Sequence, residues 1–146
     1  MVAKQIAIYY SSVGGNTKLV VDTAIERLIG EIMVQKARMG VVLNTGVDLV
    51  ILACPTYDHG QLETNFHNFL EANNAVNLSK TSVAVIGLGD KKYDAEHIME
   101  SATLLEKWVL AHNGTLIIAP LKIHATPLDQ LTQVRDWANT LQSTIS

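Results

Sequence analysis

Two continuous apolar runs limit the folds open to this chain more than any other feature of its sequence. Residues 47–54, VDLVILAC, lie between Gly46 and Pro55, and residues 81–89, TSVAVIGLG, end in glycines. Apolar runs of this length, without alternating polar residues, are typical of strands that are buried on both faces in a parallel sheet. Parallel strands need long crossover connections, so helices are expected between them.

Helical patterns do fill the intervals between the apolar runs. Apolar residues at helical spacing predict helices over 17–29, around 66–73, over 94–113 and from near Pro127 onward. Strands are predicted over 2–10, 31–36, 47–54, 81–89 and 115–123. Gly30 is placed to end the first helix, and Pro120 places the last strand at a sheet edge. The sequence therefore predicts one α/β domain over residues 1–146, a doubly wound five-stranded parallel sheet with helices on both faces.

Composition narrows the class of protein. The net charge of −3 argues against a nucleic-acid partner, because such proteins carry a basic face. Cys54 is the only cysteine, which excludes an internal disulfide and fits a reducing compartment. The N-terminus lacks the pattern of a signal peptide, and no apolar run is long enough to cross a membrane. We therefore expect a cytoplasmic protein without nucleic-acid or membrane partners.

Three loops, 10–16, 55–61 and 88–94, follow predicted strands at the edge where doubly wound sheets bind ligands. The first contains SSVGGNT, residues 11–17, directly before a helix whose N-terminus could hold a phosphate. It has neither the lysine of a nucleoside-triphosphate loop nor the dinucleotide fingerprint. It is therefore expected to hold a phosphate monoester without Mg²⁺ or another metal; an ordinary Ser/Gly turn is the alternative.

The other two loops each carry a tyrosine just beyond an apolar strand. Tyr57 lies in CPTYDHG and Tyr93 in GLGDKKYD. Two aromatic rings beside a phosphate site could sandwich a planar ligand, with about 0.5–1.5 kcal/mol for each aromatic pair beyond area burial. Packing against the core is the alternative for either ring. The joint occurrence in loops at one sheet edge is more specific than any single loop.

These motifs resemble those of the flavodoxins, and the resemblance covers nearly the whole chain. SVGGNT (12–17) is similar to the family's Ser/Thr-x-Thr-Gly-x-Thr phosphate loop, with Gly14 in place of a threonine. CPTYDHG (54–60) is similar to Cys-Pro-Thr-Trp-Asn-x-Gly, and GLGDKKYD (87–94) to Gly-x-Gly-Asp-x-x-Tyr. The resemblance implies the strand order 2-1-3-4-5, the short-chain type, and FMN as the cofactor.

The resemblance also implies roles for individual residues. Ser12, Asn16 and Thr17 would hold the phosphate with help from Thr56 and the backbone of 13–17. Tyr57 and Tyr93 would flank the flavin, and the backbone at Asp58, Gly89 and Asp90 would meet its polar edge. The whole predicted cofactor site is Ser11, Ser12, Val13, Gly14, Gly15, Asn16, Thr17, Pro55, Thr56, Tyr57, Asp58, His59, Gly60, Gly89, Asp90, Tyr93 and His97.

Several residues depart from the family's pattern. Gly14 removes one hydroxyl, so weaker phosphate binding is expected unless Ser11 or Ser12 compensates. Asp58 stands where the family usually has Gly or Asn. Lys91 and Lys92 stand where acidic residues usually surround the flavin, and either raise its potential or remain solvated without effect.

The resulting functional prediction is a monomeric carrier that shuttles single electrons between transient redox partners, a reductase and an acceptor. No cluster of acid, base or nucleophile is evident in the loops, which favours a carrier over an enzyme. The acidic residues expected to dock partners are Asp58, Glu63, Asp90, Asp94 and Glu96. The alternatives are a flavodoxin-like quinone or NAD(P)H reductase, and a flavodoxin-like protein with an accessory role.

Overall fold

A computed structural model describes residues 3–12, 14–57, 61–89, 100–124 and 126–146, and predictions that fall on the other residues lie outside it. The strands are β1 Gln5–Tyr10, β2 Glu31–Lys36, β3 Leu49–Tyr57, β4 Gln61–Leu62, β5 Ser82–Gly89 and β6 Leu121–His124. The α-helices are α1 Asn16–Ile25, α2 Thr64–Ala72, α3 Glu100–Ala111 and α4 Leu131–Ile145, the last preceded by a 3-10 turn over Pro127–Gln130.

Five strands form a parallel sheet in the order β2-β1-β3-β5-β6. The two-residue β4 pairs antiparallel with the end of β3 and lies off this path. Without β4 the order is the predicted 2-1-3-4-5, and the fold prediction is confirmed. Because the chain moves outward from β1 in both directions, the order reverses between β1 and β3. A ligand crevice is therefore expected beyond the carboxyl ends of these two strands.

Each face of the sheet carries its own hydrophobic core. Ile6, Ile8 and Tyr10 of β1 pack with α1 and α4 on one face. Ala7 and Tyr9 alternate with them and pack with α2 and α3 on the other face. This alternation in a fully apolar strand explains why the central strands read as continuous apolar runs.

The structure corrects the role predicted for Gly30. Helix α1 ends at Ile25, so Gly30 does not terminate it. Gly30 instead has φ of 150°, and a Cβ there would collide with the carbonyl oxygen of Lys4. The glycine is required by this close approach of the chain to the strand-side backbone of β1.

The last strand is shorter than predicted but lies at the sheet edge as expected. An isolated parallel bridge joins Leu116 to Val83, and β6 then begins at Leu121, directly after Pro120. Trp137 of α4 supports the intervening chain, because its Nε1–H donates to the carbonyl oxygen of Ala119 at 2.9 Å. No helix in the described part of the chain is long and apolar enough to cross a membrane.

Candidate functional site

The loop between β1 and α1 lies at the reversal of strand order and has an open backbone. Gly14 and Gly15 have φ of 79° and 87°, and no atom lies within 4 Å of where either Cβ would be. The first bond of α1 runs from the N–H of Leu19 to the carbonyl of Gly15 at 3.0 Å. The N–H groups of Asn16 and Thr17 therefore have no partner among the described residues, and with the helix dipole they can receive an anion.

Two hydroxyl groups of this loop are available beside those N–H groups. Ser12 Oγ accepts a bond from the N–H of Lys18 at 3.3 Å, which leaves its own proton free to donate. Thr17 is only 2% exposed, yet no buried side-chain oxygen among the described residues lacks a partner. Since the Thr17 hydroxyl has no described partner, its oxygen must reach the surface of the loop. Asn16 is exposed on the same turn.

Ser11 differs from the other predicted phosphate ligands. It is 4% exposed, and its hydroxyl lies 3.8 Å from Cys54 Sγ, inside the sheet edge. Its N–H donates to the carbonyl of Ala53 at 3.2 Å, which joins β1 to β3. Of the two serines that could compensate for Gly14, the structure leaves Ser12 with a hydroxyl on the open side.

The positive φ of Gly14 also explains why a threonine would not simply restore a missing hydroxyl. A residue with a Cβ in this left-handed conformation costs roughly 1–2 kcal/mol, and β-branched residues are the least suited to it. The space around Gly14 is open, so the cost lies in the backbone and not in packing. The departure from the family's pattern is therefore built into the conformation of the loop.

The second predicted loop begins at the end of β3. Pro55, Thr56 and Tyr57 are half-buried, and β4 folds back so that Tyr57 pairs with Gln61. Burial raises the pKa of the Tyr57 phenol, and the Glu63 carboxylate raises it further. Tyr57 therefore presents a neutral phenol ring at the mouth of the crevice.

Thr56 is tied to the base of α3, a contact that no sequence pattern revealed. Its Oγ1 accepts a bond from the N–H of Ser101 at 3.0 Å. Ser101 is fully buried, and its hydroxyl donates to the carbonyl of Leu88 near the end of β5 at 3.4 Å. Ser101 thus joins the strand ends that precede the second and third predicted loops. The Thr56 hydroxyl keeps one proton to donate.

Close packing holds α3 in that position. A Cβ on Gly87 of β5 would lie 2.6 Å from both the Cβ and the backbone nitrogen of Ala102. Only a residue without a side chain allows this approach. The signal in the sequence was a small residue in each element, which is too common to be read without the structure.

Glu63 is not available for partner docking as predicted. It is 5% exposed and caps α2, where its Oε2 accepts bonds from the N–H groups of Asn65 at 2.6 Å and Phe66 at 3.4 Å. Carboxylates are stabilised at helix N-termini by such donors and by the dipole. A capping position before the α2 pattern was the signal that sequence reasoning missed.

The remaining predicted residues are only partly described. Gly89 ends β5 and pairs with His124 of β6 at the same edge of the sheet. The predictions for Val13, Asp58, His59, Gly60, Asp90, Tyr93 and His97 lie outside the described residues, as do those for Lys91 and Lys92. The described site therefore consists of the α1 N-terminus, Ser12, Thr17, the end of β3 and the end of β5.

Cys54 lies behind this site as a wholly buried core residue, as predicted. Burial raises the pKa of its thiol from 9.0 to about 12. The unfolded thiol ionises above 9.0 while the folded thiol stays protonated, so stability is lost as pH rises. We expect the free energy of unfolding to fall by about 1.4 kcal/mol more than in Cys54→Ala between about pH 8 and about pH 10. Urea unfolding of both proteins at the two pH values measures this, and parallel losses would contradict it.

Comparison with known proteins agrees with this architecture. The flavodoxin family model matches residues 1–137. Probable flavodoxin 2 of Bacillus subtilis (strain 168) is 26% identical over 129 residues, which cover 84% of this chain and 83% of that protein. A solved short-chain flavodoxin associated with a PDU bacterial microcompartment has a TM-score of 0.83 at 18% identity, with both chains fully covered. The FMN-bound flavodoxin of Fusobacterium nucleatum has a TM-score of 0.75 at 17% identity, over 96% of this chain and 98% of that one.

The fold and the open loop at its switch point define an α/β protein with an anion-binding crevice. Because the family model spans most of the sequence, the chain belongs to the flavodoxin family.

Proposed function

We propose that this chain binds FMN and carries single electrons between other proteins. The observation that carries the proposal is the open turn before α1, where unpaired N–H groups and hydroxyls face the crevice of a flavodoxin-family sheet. The FMN-bound structure of the Fusobacterium nucleatum flavodoxin, which shares the fold, supports the choice of this flavin.

The residues of the turn fit a phosphate monoester. Ser12 and Thr17 would donate from their hydroxyls, and the N–H groups of Asn16 and Thr17 from the backbone. Gly14 and Gly15 allow the phosphate to approach the main chain. Lys18 is held by Asp22 at 2.8 Å on the helix surface, so its charge is already paired. Neutral donors at a helix N-terminus suit an anion that is bound without a metal.

The end of β3 fits the ring of a flavin. Tyr57 is half-buried and neutral, and such a ring can stack on a flat conjugated system. When bound, FMN would supply the one-electron redox chemistry that no side chain of the chain provides. The protein's part is to hold the cofactor, orient its ring against Tyr57 and limit the access of water.

The described side chains favour a carrier over a reductase. Glu63 is occupied as a helix cap, and burial keeps the Cys54 thiol protonated. Neither is therefore free to act as a base or nucleophile in the crevice. We infer that the chain works as one domain in the cytoplasm, with a reductase and an acceptor protein as transient partners.

The proposal is tested on the purified protein by its visible spectrum and by FMN titration after flavin removal. We expect a yellow protein that rebinds FMN and is reduced by dithionite in two separable one-electron steps. A protein without affinity for FMN would contradict the proposal. Steady-state oxidation of NAD(P)H by the protein alone would instead favour the reductase.

A further inference from the structure

The edge strand β2 and its flanks carry most of the large apolar side chains that the described part of the chain leaves exposed. Five of the seven such residues lie between positions 29 and 42, and they are Ile29, Met33, Val34, Met39 and Val42. Their exposed fractions range from 38% to 76%. Single exposed apolar residues are ordinary, but a concentration along one edge marks an interaction surface.

The backbone of β2 is free along the same edge. Glu31 donates its N–H to Lys4 at 2.8 Å and Ala37 donates to Tyr10 at 2.7 Å, so the odd-numbered residues turn toward β1. In a parallel ladder the alternate residues turn their N–H and C=O groups the other way. Ile32, Val34 and Lys36 therefore point these groups away from β1. No strand of the described part of the chain lies on that side.

We propose that β2 pairs antiparallel with β2 of a second copy of this chain, about a twofold axis at Val34. A twofold axis perpendicular to the sheet keeps the two faces continuous and places residues of the same parity opposite each other. Val34 then faces Val34 of the second copy, and Ile32 faces its Lys36. Each of these outward-facing residues exchanges two hydrogen bonds with the residue opposite. This register uses every outward backbone group of β2.

Charge and apolar surface are self-complementary in this register. Glu31 lies opposite Ala37 of the second copy, between that copy's Lys36 and Arg38. None of these three charged residues forms an ion pair with another described residue. A parallel alignment would instead set like charges side by side, which destabilises strand pairs.

The register also covers two of the most exposed apolar side chains. Ile29 and Met39 are 73% and 71% exposed and flank β2 on either side. Antiparallel pairing centred on Val34 brings Ile29 of one copy toward Met39 of the other. The charge pattern and the apolar pattern therefore both select a second copy as the occupant of this edge.

The inference does not rest on flavin binding, because β2 lies at the end of the sheet and contributes no residue to the candidate site. It departs from the expectation of a monomer, which was formed without knowledge that β2 exposes its apolar residues. Unpaired edge strands are otherwise blunted by inward charges, proline or a covering segment. In β2 the charged residues stand only at its two ends.

Sedimentation velocity over a range of protein concentrations tests the proposal. We expect a species of twice the chain mass that grows with concentration. Val34→Lys places two ammonium groups at the axis and should raise the dimer dissociation constant by more than about tenfold. Leu110→Lys is the matched control, since Leu110 is 55% exposed on α3, and it should leave the dimer unchanged. A wild-type protein that stays monomeric, or an equal effect of the control, would overturn the proposal.

A cross-linking experiment tests the register. Opposed residues of a hydrogen-bonded antiparallel pair have Cα atoms about 5.5 Å apart, within disulfide range. With diamide as the oxidant of the two thiols, Val34→Cys should form a covalent dimer quickly. Cys54 does not compete, because it is fully buried. Val42→Cys, at a more exposed position that does not face itself, should react slowly. Equal rates for the two variants would exclude the proposed pairing.

Discussion

Thr17→Val is expected to weaken FMN binding by about 10- to 150-fold while riboflavin, which lacks the phosphate, binds as before. Valine keeps the shape of threonine and the N–H at this position but removes the hydroxyl. A hydrogen bond to a charged group contributes about 1.5–3 kcal/mol, which corresponds to that range of affinity. The Thr17 side chain is 2% exposed and its hydroxyl has no described protein partner, so little else should change. Fluorescence titration of the flavin-free protein measures both affinities.

Thr23→Val is the matched control for this experiment. Thr23 lies on the same helix and is 3% exposed, but its hydroxyl donates to the carbonyl of Leu19 at 2.8 Å, away from the crevice. Its loss should leave FMN affinity unchanged. An equal loss of FMN and riboflavin binding in Thr17→Val would mean that this hydroxyl supports the loop and does not contact the phosphate. Unchanged FMN binding would remove Thr17 from the site.

Gly87→Ala is expected to destabilise the protein by about 1–3 kcal/mol and to weaken FMN and riboflavin alike. The new Cβ would lie 2.6 Å from the Cβ and backbone nitrogen of Ala102, so α3 must move away from β5. That movement stretches the 3.0 Å bond from Ser101 to Thr56, which joins α3 to the end of β3. The loss should therefore appear on the ring side of the site, and the phosphate group should not protect against it.

Gly114→Ala provides a control with a similar collision far from the crevice. Its Cβ would lie 2.7 Å from Val109 Cγ1 and 2.9 Å from Leu78 Cβ, beyond the C-terminal end of α3. Neither Gly87 nor Gly114 has a positive φ, so packing alone is changed in both. Urea unfolding should show a loss of stability in both variants, with flavin affinity reduced only in Gly87→Ala. Equal flavin affinities in the two variants would show that the position of α3 does not control the site.

The parts of the fold that sequence patterns predicted are those set by local periodicity. The apolar runs that became β3 and β5 could only be strands covered on both faces, and β2 was predicted with its observed bounds, Glu31–Lys36. Pro120 correctly indicated an edge, because it cannot donate to a ladder. Gly30 was misread because a glycine after a helical pattern usually ends the helix, whereas here it allows a backbone approach to Lys4.

The candidate site divides along the same line. The loop before α1 was identified from its glycines, hydroxyls and position after a strand, all of which are local features. The inward turn of Ser11 toward Cys54 and the burial of Glu63 depend on contacts between elements distant in the chain. A carboxylate reads as a surface charge in a sequence, and only the packing around it shows that it is a cap.

By itself the sequence determined a doubly wound parallel sheet, the edge at which it binds a ligand and the chemical character of the loop before α1. These follow from hydrophobic periodicity and from the conformations that glycine permits. The tertiary structure alone decided which hydroxyls reach the crevice, how Ser101 joins the ends of β3 and β5, and that β2 leaves an apolar edge uncovered. Each of these depends on which distant residues meet in space, and local patterns carry no record of that.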